Sequence, residues 1–86
     1  MEVEYKEKAL DDRIYWIQQG NKKVMNKISE LIEDICSHPF TGIGKPEPLK
    51  YELTGLWSRR INRKHRIVYE VLNGVISIIS MRGHYQ

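Results

Sequence analysis

Two apolar runs near the C-terminus, His65 to Leu72 and Val75 to Met81, are separated only by Asn73–Gly74. Asn-Gly between such runs is the best short-range signal for a β-hairpin, because both residues tolerate the positive φ of a tight turn. A hairpin is antiparallel, and a sheet built on it needs its apolar face covered. The remainder of the chain has to supply that cover and the other strands.

The cover is legible upstream. Val24, Ile28, Leu31, Ile32 and Ile35 form the strongest periodic signal in the chain, one apolar stripe of a helix. Asn21 is placed to cap its start, and Pro39 ends it by pushing the preceding residue out of helical geometry. An earlier helix is expected over roughly Lys8 to Gln19, with Leu10, Ile14 and Ile17 as its apolar positions and Gly20 as its left-handed stop. The two make an antiparallel helical hairpin. Val3 and Tyr5 alternate with charged neighbours as a short first strand. Residues 39–48 read as a loop. Strands are expected around Leu49-Tyr51-Leu53 and over Leu56 to Ile61, joined by a turn at Thr54–Gly55 and followed by a charged turn at Asn62-Arg63-Lys64. The order β-α-α-β-β-β-β predicts an α+β fold: a single domain with the helical hairpin packed on one face of a curved, mostly antiparallel sheet.

The register of the last hairpin decides which side chains meet. A two-residue turn pairs Leu72 with Val75 and sets Arg66 opposite Met81. A three-residue turn pairs Val71 with Val75, which gathers Ile67, Tyr69, Val71, Ile79 and Met81 on one face and Arg66, Arg82 and His84 on the other. The second gives the helices the better surface and is the expected one.

Charge sharpens the functional reading. The 86 residues carry 14 Lys and Arg against 11 Asp and Glu, a mild net +3. From Lys45 onward, however, the only acids are Glu47, Glu52 and Glu70, so the C-terminal half is basic and suits a polyanion such as RNA. The lone Cys36 forms no internal disulfide, and the N-terminus has no apolar run; the expectation is a cytoplasmic protein without a membrane span. His38, His65 and His84 are scattered without metal-ligand spacing, and Gly42 and Gly44 do not form a phosphate-binding loop. No cofactor is implied. What remains is acid–base chemistry supported by arginine. Glu47 lies between two prolines on a stiff loop, where it could act as a base. His84, beside Arg82, could donate or accept a proton near neutrality. Taken singly, each is more often an ordinary surface residue. Trp57 is more often packing than a base-stacking platform, and Arg59 and Arg60, being consecutive, must point to opposite faces.

Together these stretches carry a specific likeness. Trp16 ahead of the second helix, Gly42-Ile43-Gly44-Lys45-Pro46-Glu47-Pro48-Leu49-Lys50, Gly55-Leu56-Trp57-Ser58-Arg59-Arg60-Ile61, His65-Arg66-Ile67-Val68-Tyr69 and Arg82-Gly83-His84-Tyr85 resemble the YoeB (Txe) toxins of the RelE superfamily, over essentially the whole chain. The resemblance implies a type II toxin, encoded with a YefM (Axe) type antitoxin. It implies a ribosome-dependent endoribonuclease that cuts mRNA in the A site. It implies Glu47 as general base, His84 as general acid and Arg66 as transition-state stabiliser, with Lys50, Arg60 and Tyr85 holding substrate. A homodimer or a toxin–antitoxin heteromer is implied as well. Against the family pattern, Arg63–Lys64 stand in place of an acidic pair, Gly83 replaces a bulkier residue, Gln86 extends the end, and one residue is inserted near Gly20–Asn21. The competing class is a non-enzymatic ParE-type inhibitor of DNA gyrase, which lacks the Glu–Arg–His set. A plain RNA-binding module is a third.

Overall fold

The computed structural model describes residues 1–83; His84, Tyr85 and Gln86 lie outside the described residues. In chain order it contains β1 (Glu2–Tyr5), α1 (Glu7–Gln19), α2 (Lys22–Ser37), β2 (Glu47–Pro48), a 3₁₀ turn at Tyr51–Leu53, β3 (Trp57–Arg60), β4 (Arg66–Leu72) and β5 (Val75–Ser80). One five-stranded sheet runs β1-β5-β4-β3-β2. β1 is parallel to β5, and every other pairing is antiparallel. The α+β order expected from the sequence is the order observed.

The helices form where the sequence places them. Gly20 ends α1 at φ 65°, and the Asn21 side chain accepts the Val24 amide at 3.1 Å to start α2. α2 buries Val24, Ile28, Leu31 and Ile35 against the sheet. These pack with Ile67, Tyr69, Ile76, Ile78 and Met81 into one core.

α1 departs from expectation. Leu10, Ile14 and Ile17 are 46%, 53% and 55% exposed, and the buried positions are Ala9, Asp12 and Trp16. The reason is chemical. Both Asp12 and Trp16 bind the backbone of Met81 at the end of β5: the Met81 amide donates to Asp12 Oδ2 at 2.9 Å, and Trp16 Nε1 donates to the Met81 carbonyl at 2.8 Å. Two buried hydrogen bonds to one residue turn the helix onto a face that apolar periodicity does not mark.

The strand expected at Leu49 to Leu53 is absent. Only Glu47 and Pro48 pair with β3, and the chain then coils through the 3₁₀ turn, where Tyr51 takes φ 57° and stands 84% exposed. One further cross-strand bond follows, from the Leu49 amide to the Leu56 carbonyl at 2.9 Å, and the positive φ at Tyr51 cannot belong to a strand.

The expected three-residue hairpin is also overturned. Asn73 and Gly74 make a two-residue turn with φ 52° and 76°, and Leu72 pairs with Val75. The register then shifts at Val68/Tyr69: Tyr69 pairs with Ile78, yet Val68 pairs with Ser80. Ile79 is thus a bulge residue rather than a core position. The extra residue returns Met81 to the core with Ile67 and lets the Arg66 amide reach the Gly83 carbonyl at 2.9 Å.

Candidate active site

Side-chain alternation fixes what lies on the helix-free face of the sheet. Ile67 and Tyr69 point to the helices, so Arg66 and Val68 point away. Directly opposed residues share a face. The pairs Glu47 with Ser58, Ser58 with Val68, and Arg60 with Arg66 therefore assemble Glu47, Ser58, Arg60 and Arg66 on that side. The Arg66 guanidinium comes within 3.5 Å of Glu47 Oε2, with the Arg66 side chain 11% exposed and that of Glu47 61% exposed. A contact this long is a loose ion pair rather than a tight hydrogen-bonded one. It brings an oxygen base and a planar cation together on one side of the sheet, with the carboxylate exposed.

Glu47 is held there by a residue on the opposite face. Arg59 is completely buried, and its guanidinium binds Asp34 on α2, the carbonyls of His38, Thr41 and Ile43, and the Tyr69 hydroxyl. Tyr69 in turn donates to the Pro39 carbonyl at 2.6 Å. One side chain thereby pins the segment that leaves α2 and leads to Glu47. The Arg59 hydrogen bond, with that of the Ile43 amide, holds the Asp34 carboxyl below its ordinary range, and burial pushes the Tyr69 phenol up. Close approach also governs Gly44, at φ 78°: a β-carbon there would stand 2.7 Å from Leu31 Cδ2. Its carbonyl accepts the Arg60 amide at 2.7 Å, fastening the loop to β3.

The end of β5 is held as firmly. Beyond the two bonds on Met81, the Gly83 amide donates to His65 Nδ1 at 3.0 Å, so the imidazole is neutral and protonated on Nε2. Burial, aided by the charges of Lys64 and Arg82, pushes the His65 pKa below its ordinary value, with Asp12 acting in the opposite sense. The His65 ring meets the Trp16 indole edge to face at 4.9 Å.

The structure thus brings Glu47, Arg66 and Arg60 together. Lys50 is exposed just before the 3₁₀ turn, with no side-chain partner among the described residues. His84 and Tyr85 fall outside them. Arg82 does not join Arg66, as the expected register required; its guanidinium lies 3.8 Å from the centre of the Tyr15 ring on α1. Trp57 packs against Phe40 at 4.8 Å on the helix side, which makes it a loop contact rather than a platform on the open face. Among the described residues no group of three or more His, Cys, Asp or Glu side chains is placed to hold a metal ion. Sequence reasoning missed Asp12, Arg59 and His65. The one usable signal was that consecutive Arg59 and Arg60 must diverge, which obliges one of them to find partners on the core side.

Comparison with known proteins agrees with this architecture. Residues 5–85 match the family model of the YoeB-like toxins of bacterial type II toxin–antitoxin systems. The chain is 49% identical over 86 residues to toxin YoeB of Synechocystis, covering 100% of this chain and 99% of that one. It is 47% identical to toxin YoeB of Escherichia coli K12, covering 99% and 100%. Among solved structures, a YoeB/ParE toxin from Agrobacterium tumefaciens superposes with a TM-score of 0.92 at 38% identity, covering 99% and 100% of the two chains. The toxin in a YoeB–YefM complex from Staphylococcus aureus gives 0.88 at 45%, covering 99% and 98%. The chain belongs to the YoeB-like toxins of bacterial type II toxin–antitoxin systems.

Proposed function

We propose that this toxin is a ribosome-dependent endoribonuclease that cuts mRNA in the A site and so arrests translation. The observation that carries the reading is the Glu47–Arg66 pair at 3.5 Å, with its carboxylate exposed and Arg60 on the same side of the sheet. RNA brings its own nucleophile, so the protein's task is proton transfer and charge stabilisation. Glu47 takes the proton of the 2′-hydroxyl, whose oxygen attacks the adjacent phosphorus. The bond from phosphorus to the 5′-oxygen breaks, and His84 protonates that oxygen as it leaves. Arg66 holds the charge that builds on the non-bridging oxygens through its planar fork. Lys50, Arg60 and Tyr85 hold neighbouring RNA.

The partners follow from the relatives. A YoeB–YefM complex and a YoeB dimer are known from Staphylococcus aureus. We extend both to this chain, with a YefM-type antitoxin covering the site through an acidic segment that folds on binding.

The end groups of the cut message test the chemistry. The upstream fragment is expected to carry a 2′,3′-cyclic phosphate or its opened 3′-phosphate, and the downstream fragment a 5′-hydroxyl. Replacing the 2′-hydroxyl beside the scissile phosphate with hydrogen is expected to stop cleavage while ribosome binding persists. A 3′-hydroxyl with a 5′-phosphate refutes the mechanism. Growth arrest that persists undiminished in both Glu47→Ala and His84→Ala refutes the nuclease reading and favours a ParE-type inhibitor.

A further inference from the structure

The geometry points to His65 as a positioning residue that holds the Gly83 backbone beside Arg66 through its neutral imidazole. The inference rests on the nuclease reading above, in which the residue after Gly83 supplies the proton to the leaving group.

Both backbone polar groups of Gly83 are held. Its carbonyl accepts the Arg66 amide at 2.9 Å, and its amide donates to His65 Nδ1 at 3.0 Å. His65, just before β4, and Arg66, its first residue, therefore hold the two backbone polar groups that flank the Gly83 α-carbon, and Arg66 also carries the guanidinium facing Glu47. Upstream, Asp12 and Trp16 fix both backbone groups of Met81. Gly83 itself, at φ 103°, has a backbone that no side chain disciplines. Holding it falls to its hydrogen bonds, and His65 is the only side chain that binds it among the described residues.

His65 is set up to stay neutral. The Trp16 ring abuts it from α1, and Trp16 is itself locked by its bond to Met81. The charged groups facing it are Lys64 from its own turn, Arg82 from the end of β5 and Asp12 from α1. Two cations and a partly buried setting oppose a charge on the ring, and one carboxylate favours it. The neutral ring presents a lone pair at Nδ1 to Gly83. Protonation turns that acceptor into a donor facing another donor and breaks the bond. Loss of the grip frees the backbone of Gly83, to which the proton donor of the nuclease reading is directly bonded, so the expected effect falls on kcat.

The experiment compares wild type, His65→Ala and His65→Asn in single-turnover cleavage on programmed ribosomes across pH, with Glu47→Gln as the inactive reference. Asparagine places an oxygen acceptor near the position of Nδ1 and does not titrate. His65→Ala is expected to lose roughly 10²-fold in kcat with KM unchanged, the scale of a small misplacement of a reacting group. His65→Asn is expected to recover most of that loss, and its activity to persist to lower pH than that of wild type. The Gly83 amide resonance, followed by NMR in each protein without ribosomes, is expected to titrate with His65 in wild type and to stay fixed in His65→Asn. Wild-type rates in His65→Ala, or an Asn variant as poor as the Ala variant while remaining folded, overturn the inference alone. A wild-type protein that cuts no more than Glu47→Gln overturns the nuclease reading; a Gly83 amide that does not respond to His65 then overturns the grip as well.

Discussion

Replacing Arg59 with methionine tests whether one buried cation organises the loop that delivers Glu47. The side chain is completely buried and its guanidinium has five acceptors: Asp34, three loop carbonyls and the Tyr69 hydroxyl. Methionine fills much of the space but satisfies none of them. Removing a completely buried guanidinium together with its whole set of hydrogen bonds costs about 3–5 kcal/mol. A chain of this length, 86 residues, has only about 4–13 kcal/mol in total at 0.05–0.15 kcal/mol per residue. With about 4–8 °C of Tm per kcal/mol for small domains, a fall of roughly 12–40 °C is expected. Adding Asp34→Leu removes the orphaned carboxylate yet leaves the His38, Thr41 and Ile43 carbonyls without their donor, so the double variant should recover less than half the loss. Calorimetry gives the Tm, and amide hydrogen exchange over residues 38–45 shows whether the loop opens before the rest. A single variant within about 3 °C of wild type, with those amides still protected, would refute the anchoring argument, since that shift corresponds to under about 1 kcal/mol.

Arg66→Lys keeps the charge but loses the planar fork; cleavage is expected to fall at least roughly tenfold, while ribosome pelleting, governed by long-range charge, changes little. Gly44→Ala forces a β-carbon into Leu31 and a strained φ, so about 1–3 kcal/mol of stability should go, together with activity, as read from urea midpoints and cleavage rates. Acid sensitivity follows from two depressed pKa values. For His65 and Asp34 the unfolded chain binds protons first as pH falls, so the stability they contribute is complete above their ordinary values of 6.5 and 3.8 and is lost on descent through the lower folded values. Midpoints of urea unfolding should therefore decline in two stages, and His65→Asn should abolish the upper one.

Much of this fold is legible because its signals are local. The α2 stripe, the Asn21 cap and the Asn73–Gly74 turn each depend on residues a few positions apart. What escapes reading is polar work inside the core. Asp12 and Arg59 are buried for the hydrogen bonds they make, and a search for apolar periodicity counts both against burial. On α1 that error moves the expected face to Leu10, Ile14 and Ile17, which are exposed. The short β2 escapes for another reason: its pairing ends at Pro48, and nothing in Leu49-Tyr51-Leu53 announces the positive φ at Tyr51. Of the site, Glu47, Arg60 and Arg66 share one face through the β2–β3–β4 pairings, whereas the tight turn and bulge of the last hairpin leave Arg82 on Tyr15 instead of beside Arg66.

That bulge gives β5 a residue of slack. Without Ile79 the ladder would pass straight from the Tyr69–Ile78 pair to the Val68–Ser80 pair, and Met81 would keep its place in the core. Nearby deletions have a similar escape: removing Ser77 lets Ile79 slide into the position of Ile78, one isoleucine replacing another. An added residue finds no such reserve, because a second extra position would send Met81 outward and carry Gly83 away from His65 and Arg66. Length changes in this strand are therefore expected to be asymmetric, with single deletions surviving where single insertions abolish folding or activity. A library of one-residue deletions and insertions across Val75–Ser80 would reveal that asymmetry, and its centre would mark where the hairpin's geometry gives way to that of the site.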